Sequence, residues 1–257
     1  MRALHVAVLL FAFPSFAKMV SKPVPYEVGT TKLEGVLIYD DAVKTPRPGI
    51  VLVPNWMGIN AANLKQAEEL AGQRYVMLVA DMYGKTVRPK DGGEAGKAAG
   101  AVKGDRKLMR ERINKAVEVL LAQGKAAGMD GSKVGAVGFC FGGTSVLELA
   151  RSGANVAAVV SIHGGLDTPN PDTTSFKGKI LAMNGADDPN VPPAQVAAFE
   201  AEMKKAKIDW QSVDFGGAVH SFTDPDAKAP GQAEYNPVVA KRAFKMMHDY
   251  FAEAFGG

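Results

Sequence analysis

The sequence predicts a single α/β domain, a mostly parallel sheet with helices on both faces. Three observations predict it. Short β-rich runs alternate with helical ones along the chain. Inner runs such as Gly49-Ile50-Val51-Leu52-Val53 are uninterruptedly apolar, as strands buried on both faces must be. No repeat or long linker divides the 257 residues, and with 47% of them hydrophobic the chain buries a sizeable core.

The first 17 residues stand apart from this domain. Met1-Arg2 is a basic start, Val6 to Phe13 an apolar run and Ser15-Phe16-Ala17 a small-x-small site. That is the pattern of a secretory signal peptide, with cleavage expected after Ala17 and a periplasmic or secreted product of residues 18–257. The apolar run falls short of the ~20 residues that span a bilayer, so no membrane association is expected of the mature form.

Runs near Tyr26 to Val28 and Leu33 to Tyr39, split by Gly29-Thr30-Thr31, predict an antiparallel edge hairpin. Gly49 to Val53 and Tyr75 to Ala80 predict buried strands, joined by a helix over 60–73 with Asn60 as its cap. Asp91 to Gly104, rich in glycine and alanine, reads as a mobile rim over the site or a loose surface excursion. The whole stretch from Met82 to Asp105 is too short for a cap domain, so an open pocket for small or medium substrates is expected. Ile113, Ala116, Val117, Leu120 and Leu121 mark the apolar stripe of a helix over 105–123. Its Arg106, Lys107, Arg110, Arg112 and Lys115 alternate with acids and read as a solvated face. With a formal net charge of only +3, a nucleic-acid groove is not expected. Four more strands follow at 133–139, 156–162, 179–184 and 210–215, with helices at 142–151, 193–206 and 237–255.

The only cysteine, Cys140, sits in Gly138-Phe139-Cys140-Phe141-Gly142-Gly143, between the strand at 133–139 and a helix. A lone thiol forms no intrachain disulfide; it is a buried bystander, an intermolecular partner or a reactive group. Small residues two positions either side let strand and helix approach around a strained, exposed nucleophile, and the helix N-terminus favours a thiolate. A base and an orienting acid must then be found. Outside the leader the histidines are His163, His220 and His248. His248 falls within the last amphipathic helix, where a surface position is expected. His220 lies in a strand-exit loop before that helix, and Asp187 and Asp188 lie in another, after the strand at 179–184. Cysteine, acid, histidine is a working chain order for such a triad.

Gly138-Phe139-Cys140-Phe141-Gly142-Gly143, Gly185-Ala186-Asp187-Asp188-Pro189-Asn190-Val191-Pro192 and Ala218-Val219-His220-Ser221-Phe222 together resemble the dienelactone hydrolase family. Pro48 to Asn60 and Asp81-Met82-Tyr83-Gly84 are similar to its early strand exits, so the resemblance spans about residues 25–255. It implies an α/β-hydrolase fold without a large cap, and cleavage of small lactones or esters through an acyl-thiol intermediate. It places the nucleophile at Cys140, the base at His220, the acid at Asp188 and the oxyanion hole at the backbone N–H groups of Trp56 and Phe141. The family often carries glutamate where this chain has Asn55, and a substrate-gripping arginine where this chain has Asp224. Asn55, Tyr83, Lys85 and His163 are the candidate substrate contacts. For Lys85 the competing reading is a solvated loop lysine; for His163 it is a pocket floor or turn.

No cofactor is expected: the dinucleotide and phosphate-loop glycine patterns are absent, and no histidine pair or thiol cluster has metal-ligand spacing. Nor do sustained heptads or a partner helix appear, which leaves a monomer as the expectation. The rival functional readings are a non-catalytic ligand-binding protein on the same fold and an exported redox-sensing thiol.

Overall fold

The computed structural model describes residues 18–256; the expected leader over 1–17 and its expected cleavage point lie outside them. The eight-stranded sheet comprises β1 (Met19–Val28), β2 (Thr31–Asp40), β3 (Arg47–Val53), β4 (Val76–Val79), β5 (Met129–Phe139), β6 (Ala158–Ile162), β7 (Lys179–Gly185) and β8 (Asp209–Phe215). Their order is β1-β2-β4-β3-β5-β6-β7-β8. The β1–β2 hairpin and the β2–β4 pair are antiparallel, and every later pairing is parallel. The hairpin is longer than predicted, chiefly in β1, whose outer half from Met19 to Pro23 has no buried residue and so carries no apolar run.

Side-chain alternation along the strands builds two cores. Val51, Leu78, Ala136, Val159 and Ile180 face α3 (Arg106–Gly124), α4 (Phe141–Arg151) and α5 (Pro193–Ala206). Ile50, Leu52, Met77, Val137, Val160 and Leu181 face α1 (Ala61–Ala71) and α6 (Pro237–Ala254). Each inner strand, β3 to β7, is thus covered on both faces, which is why its sequence shows no polar alternation. Every residue of α4 is buried, so its N-terminus is fixed against the sheet.

Three expectations need correction. The glycine- and alanine-rich stretch is an ordered helix, α2 (Gly92–Gly104), capped by the Asp91 side chain accepting from the Glu94 N–H at 2.9 Å. That cap bond and the buried Ala95 and Val102 offset the helix-weakening glycines. The basic residues of α3 do not form a plain solvated face. Arg112 is buried and donates to the Met82 and Tyr83 carbonyls, Arg106 pairs with Asp167 at 2.9 Å and Arg110 with Glu148 at 2.7 Å. His248 is half-buried rather than on the surface. It stacks on Tyr75 and shares a 3.1 Å hydrogen bond with that hydroxyl. Beyond the predicted elements, β9 (Lys228–Ala229) and β10 (Ala233–Glu234) form a short ribbon that bridges to His220.

Candidate active site

β5 ends at Phe139 and α4 begins at Phe141, leaving Cys140 alone at the turn with φ 55° and ψ −117°. Such a conformation costs a non-glycine residue on the order of 1–3 kcal/mol and persists only where the surroundings enforce it. The flanking glycines make the turn possible. A Cβ on Gly138 would fall 2.0 Å from the Gly142 carbonyl oxygen, and one on Gly142 would fall 2.0 Å from that of Val53. The turn therefore lifts the thiol above the sheet, half-exposed, at the N-terminus of a buried helix.

Two further strand exits converge on it. His220 Nε2 stands 3.0 Å from Cys140 Sγ, and His220 Nδ1 stands 2.7 Å from Asp188 Oδ2. The second Asp188 oxygen accepts from the Asn190 N–H at 2.8 Å, which fixes the carboxylate plane. Asp188 is buried, whereas Asp187 points to solvent. Burial by itself pushes the His220 pKa down. Hydrogen bonds and charge from Asp188 and Cys140 outweigh that and raise it to about 10. The arrangement thus favours imidazolium beside sulfur at neutral pH.

The β3 exit supplies the facing loop. Asn55 Oδ1 accepts from the Met57 N–H at 3.1 Å and from Asn63 Nδ2 at 3.0 Å, while Asn63 also donates to the Gly58 carbonyl at 2.7 Å. The Tyr83 hydroxyl donates to the Trp56 carbonyl at 2.9 Å. Tyr83 is itself buried, and burial together with the negative charge of Cys140 and Asp81 pushes its hydroxyl far above its ordinary pKa, so it remains a donor. The Trp56 indole lies over Gly92 of α2, where an added Cβ would sit 3.3 Å from its ring. The Phe141 N–H, first in α4, has no intrahelical acceptor.

The four candidate contacts separate. Asn55 borders a cavity of about 510 Å³, together with Asn60, Gln66, His163, Ser221, Asp224 and Tyr235; Cys140, Asp188 and His220 do not line it. Tyr83 acts through the Trp56 loop. Lys85 is turned to β2, its ammonium 2.7 Å from Glu34, so the fold does not bring it to the triad. His163 is buried, with φ 42°, and its Nδ1 accepts from the Cys140 N–H at 3.1 Å. It touches the Cys140 backbone from beneath. Thr223, which bonds its far nitrogen at 2.8 Å, is a residue sequence reasoning missed; nothing in its local pattern marks it. Among the described residues no cluster of histidine, cysteine and acidic side chains could hold a metal ion, and no helix is long and apolar enough to cross a membrane.

The dienelactone hydrolase family model matches residues 33–255, the sheet from Leu33 of β2 onward and all three converging exits. The chain belongs to the dienelactone hydrolase family. It is 37% identical to a dienelactone hydrolase-like promiscuous phosphotriesterase from metagenomic libraries, whose crystal structure superposes with a TM-score of 0.85 over 93% of this chain and 99% of that one. A Bradyrhizobium protein named "Probable 2-oxo-3-(5-oxofuran-2-ylidene)propanoate lactonase" is 27% identical over 77% of this chain and 80% of its own length. An uncharacterized Caenorhabditis elegans protein is 36% identical over 49% of this chain and 84% of its own. The enzyme is accordingly a lactone or ester hydrolase on an α/β-hydrolase fold with no large cap.

Proposed function

We propose that this hydrolase works through Cys140, His220 and Asp188 and an acyl-thiol intermediate. The observation that carries the reading is the unbroken relay from sulfur to imidazole to buried carboxylate, at 3.0 and 2.7 Å. Cys140 Sγ attacks the substrate carbonyl carbon, and the oxygen that gains charge is received by the Phe141 and Trp56 amides. One such donor is worth ~3 kcal/mol. When the tetrahedral intermediate collapses, the C–O bond to the alcohol breaks and imidazolium His220 protonates the departing oxygen. Forming the thioester removes the sulfur's charge, one of the influences that hold the His220 proton. The imidazole then accepts a proton from water as the water attacks the thioester. The acid leaves and Cys140 is restored, with Asp188 orienting the ring throughout.

The substrate class is read from Asp224, which stands where the family often carries a substrate-gripping arginine. Its Oδ2 lies 3.5 Å from Asn55 Nδ2, so an anionic group brought there would meet a carboxylate. Neutral or cationic lactones and esters suit the site better than carboxylate-bearing ones. The 37% identity to a promiscuous phosphotriesterase adds a phosphotriester to the substrates worth offering. The pattern of residues 1–17 supports export.

The test is a panel of lactones, aryl esters and one phosphotriester against wild type and Cys140→Ala, with intact-mass detection of the acyl-enzyme. Turnover in the wild type, an adduct on Cys140 and at least ~10⁴-fold loss in the variant are expected. Undiminished turnover by a folded Cys140→Ala variant removes the mechanism.

A further inference from the structure

His163 has a sharper role than pocket floor, and we propose that it is a positioning residue, a neutral imidazole that couples the backbone of the nucleophile to the loop of the catalytic histidine. The inference rests on the Cys140–His220–Asp188 reading and extends it.

The contacts match one tautomer. Nδ1 receives the Cys140 N–H at 3.1 Å, a donor shared with the Ile162 carbonyl at 3.0 Å; with Nδ1 accepting, a neutral ring carries its proton on Nε2, 2.8 Å from Thr223 Oγ1. These two bonds leave opposite sides of one rigid ring. One grips the residue whose φ is 55°, and the other grips the loop three residues beyond His220. The ring also meets His220 edge-on with centroids 5.4 Å apart, and Phe222 at 5.0 Å and 88°. His163 therefore touches the nucleophile's amide, the base's ring and the base's loop at once.

Its neutrality is built in. The side chain is fully buried, and burial together with the neighbouring His220 charge drives its pKa well below the ordinary histidine value. An imidazolium here would leave the Cys140 N–H to the Ile162 carbonyl alone, which it also meets at 3.0 Å. The backbone of His163 is itself left-handed, φ 42°, at a position where the next two residues are glycines. A non-glycine residue is held there by the ring's two bonds and its packing against Phe139 and Phe222.

The experiment compares wild type, His163→Phe, Thr223→Val and the double variant. Folding of each variant is checked by circular dichroism and thermal unfolding, and concentrations are normalised to folded protein. His163→Phe keeps the apolar packing and removes both bonds. It should lower kcat on the order of 10²-fold with little change in KM, and should slow iodoacetamide alkylation of Cys140 in parallel. Thr223→Val should lower kcat about tenfold. In the double variant the Thr223 change should add nothing to the His163 change, because the bond it breaks is already gone. Additive losses, or normalised kcat and alkylation rates equal to wild type in His163→Phe, overturn the proposal. Cys140→Ala separates the two claims. If it remains active the triad reading fails, whereas an inactive Cys140→Ala beside an unimpaired His163→Phe sinks only the role of His163.

Discussion

The two ends of α4 bury charge in opposite ways. At the N-terminus Asp188, with no exposed side-chain surface, faces an imidazole that is 13% exposed. At the C-terminal end Glu148, equally buried, is held by Arg151 at 3.0 Å and Arg110 at 2.7 Å, and Arg151 reaches on to Glu202 at 2.8 Å and to the Leu166 carbonyl at 2.9 Å. Guanidinium stays protonated at any ordinary pH, so the second cluster fixes charge in place and ties α3, α4 and α5 together. Imidazole can release its proton, so the first cluster can move one. The same helix is anchored at one end so that the strained turn at the other keeps its geometry.

Substitutions at the two ends should separate activity from stability. Asp188→Asn keeps shape and removes the charge that orients and holds the imidazolium. It should lower kcat on the order of 10⁴-fold with the melting temperature little changed, as read by steady-state kinetics and calorimetry. Glu148→Gln should do the reverse. Leaving Arg110 without its carboxylate and Arg151 with Glu202 alone should cost ~3 kcal/mol in denaturant unfolding, with kcat unchanged. If Glu148→Gln abolished turnover at full stability, the division between the two ends would be broken.

A finer probe is the titration of His220 followed by NMR. The raised value means that His220 holds its proton through the neutral range and releases it only as the pH climbs toward about 10. Cys140→Ala removes the sulfur's hydrogen bond and charge, and the imidazole should then titrate at lower pH. A titration unmoved by that substitution would show that sulfur and imidazole are not coupled. The smallest effect is expected at the facing loop. Tyr83→Phe deletes the 2.9 Å bond to the Trp56 carbonyl and should lower kcat by about tenfold or less, with KM nearly constant.

How much was legible depended on whether the signal was local. The inner strands, α1 with its Asn60 cap and α5 were readable within a few residues, because burial on two faces or on one stripe leaves its period in the sequence. α2 was not, since its hydrophobic signal is confined to Ala95 and Val102 and its glycines argue for a loop. Arg106, Arg110 and Arg112 carried the pattern of a solvated face, and only the partners supplied by α4, the 82–83 backbone and Asp167 explain their burial. Lys85 stood near the right strand exit and yet turns to Glu34 on β2, a neighbour that sequence distance conceals.

What the sequence by itself determined is the chemistry held in short stretches. The glycine-flanked thiol, the strand exits bearing Asp188 and His220 and the alternation that makes a parallel sheet are all local, because turn sterics and side-chain period act over a few residues. Tertiary structure decided which groups meet. It buried Asp188, left Asp187 in solvent, and set sulfur, imidazole and carboxylate in line across separations of 80 and 32 residues. It also placed the His163 ring between Cys140 and Thr223. The physical reason is that a hydrogen bond depends on distances of a few tenths of an ångström, and the packing of the whole sheet and its helices sets those distances.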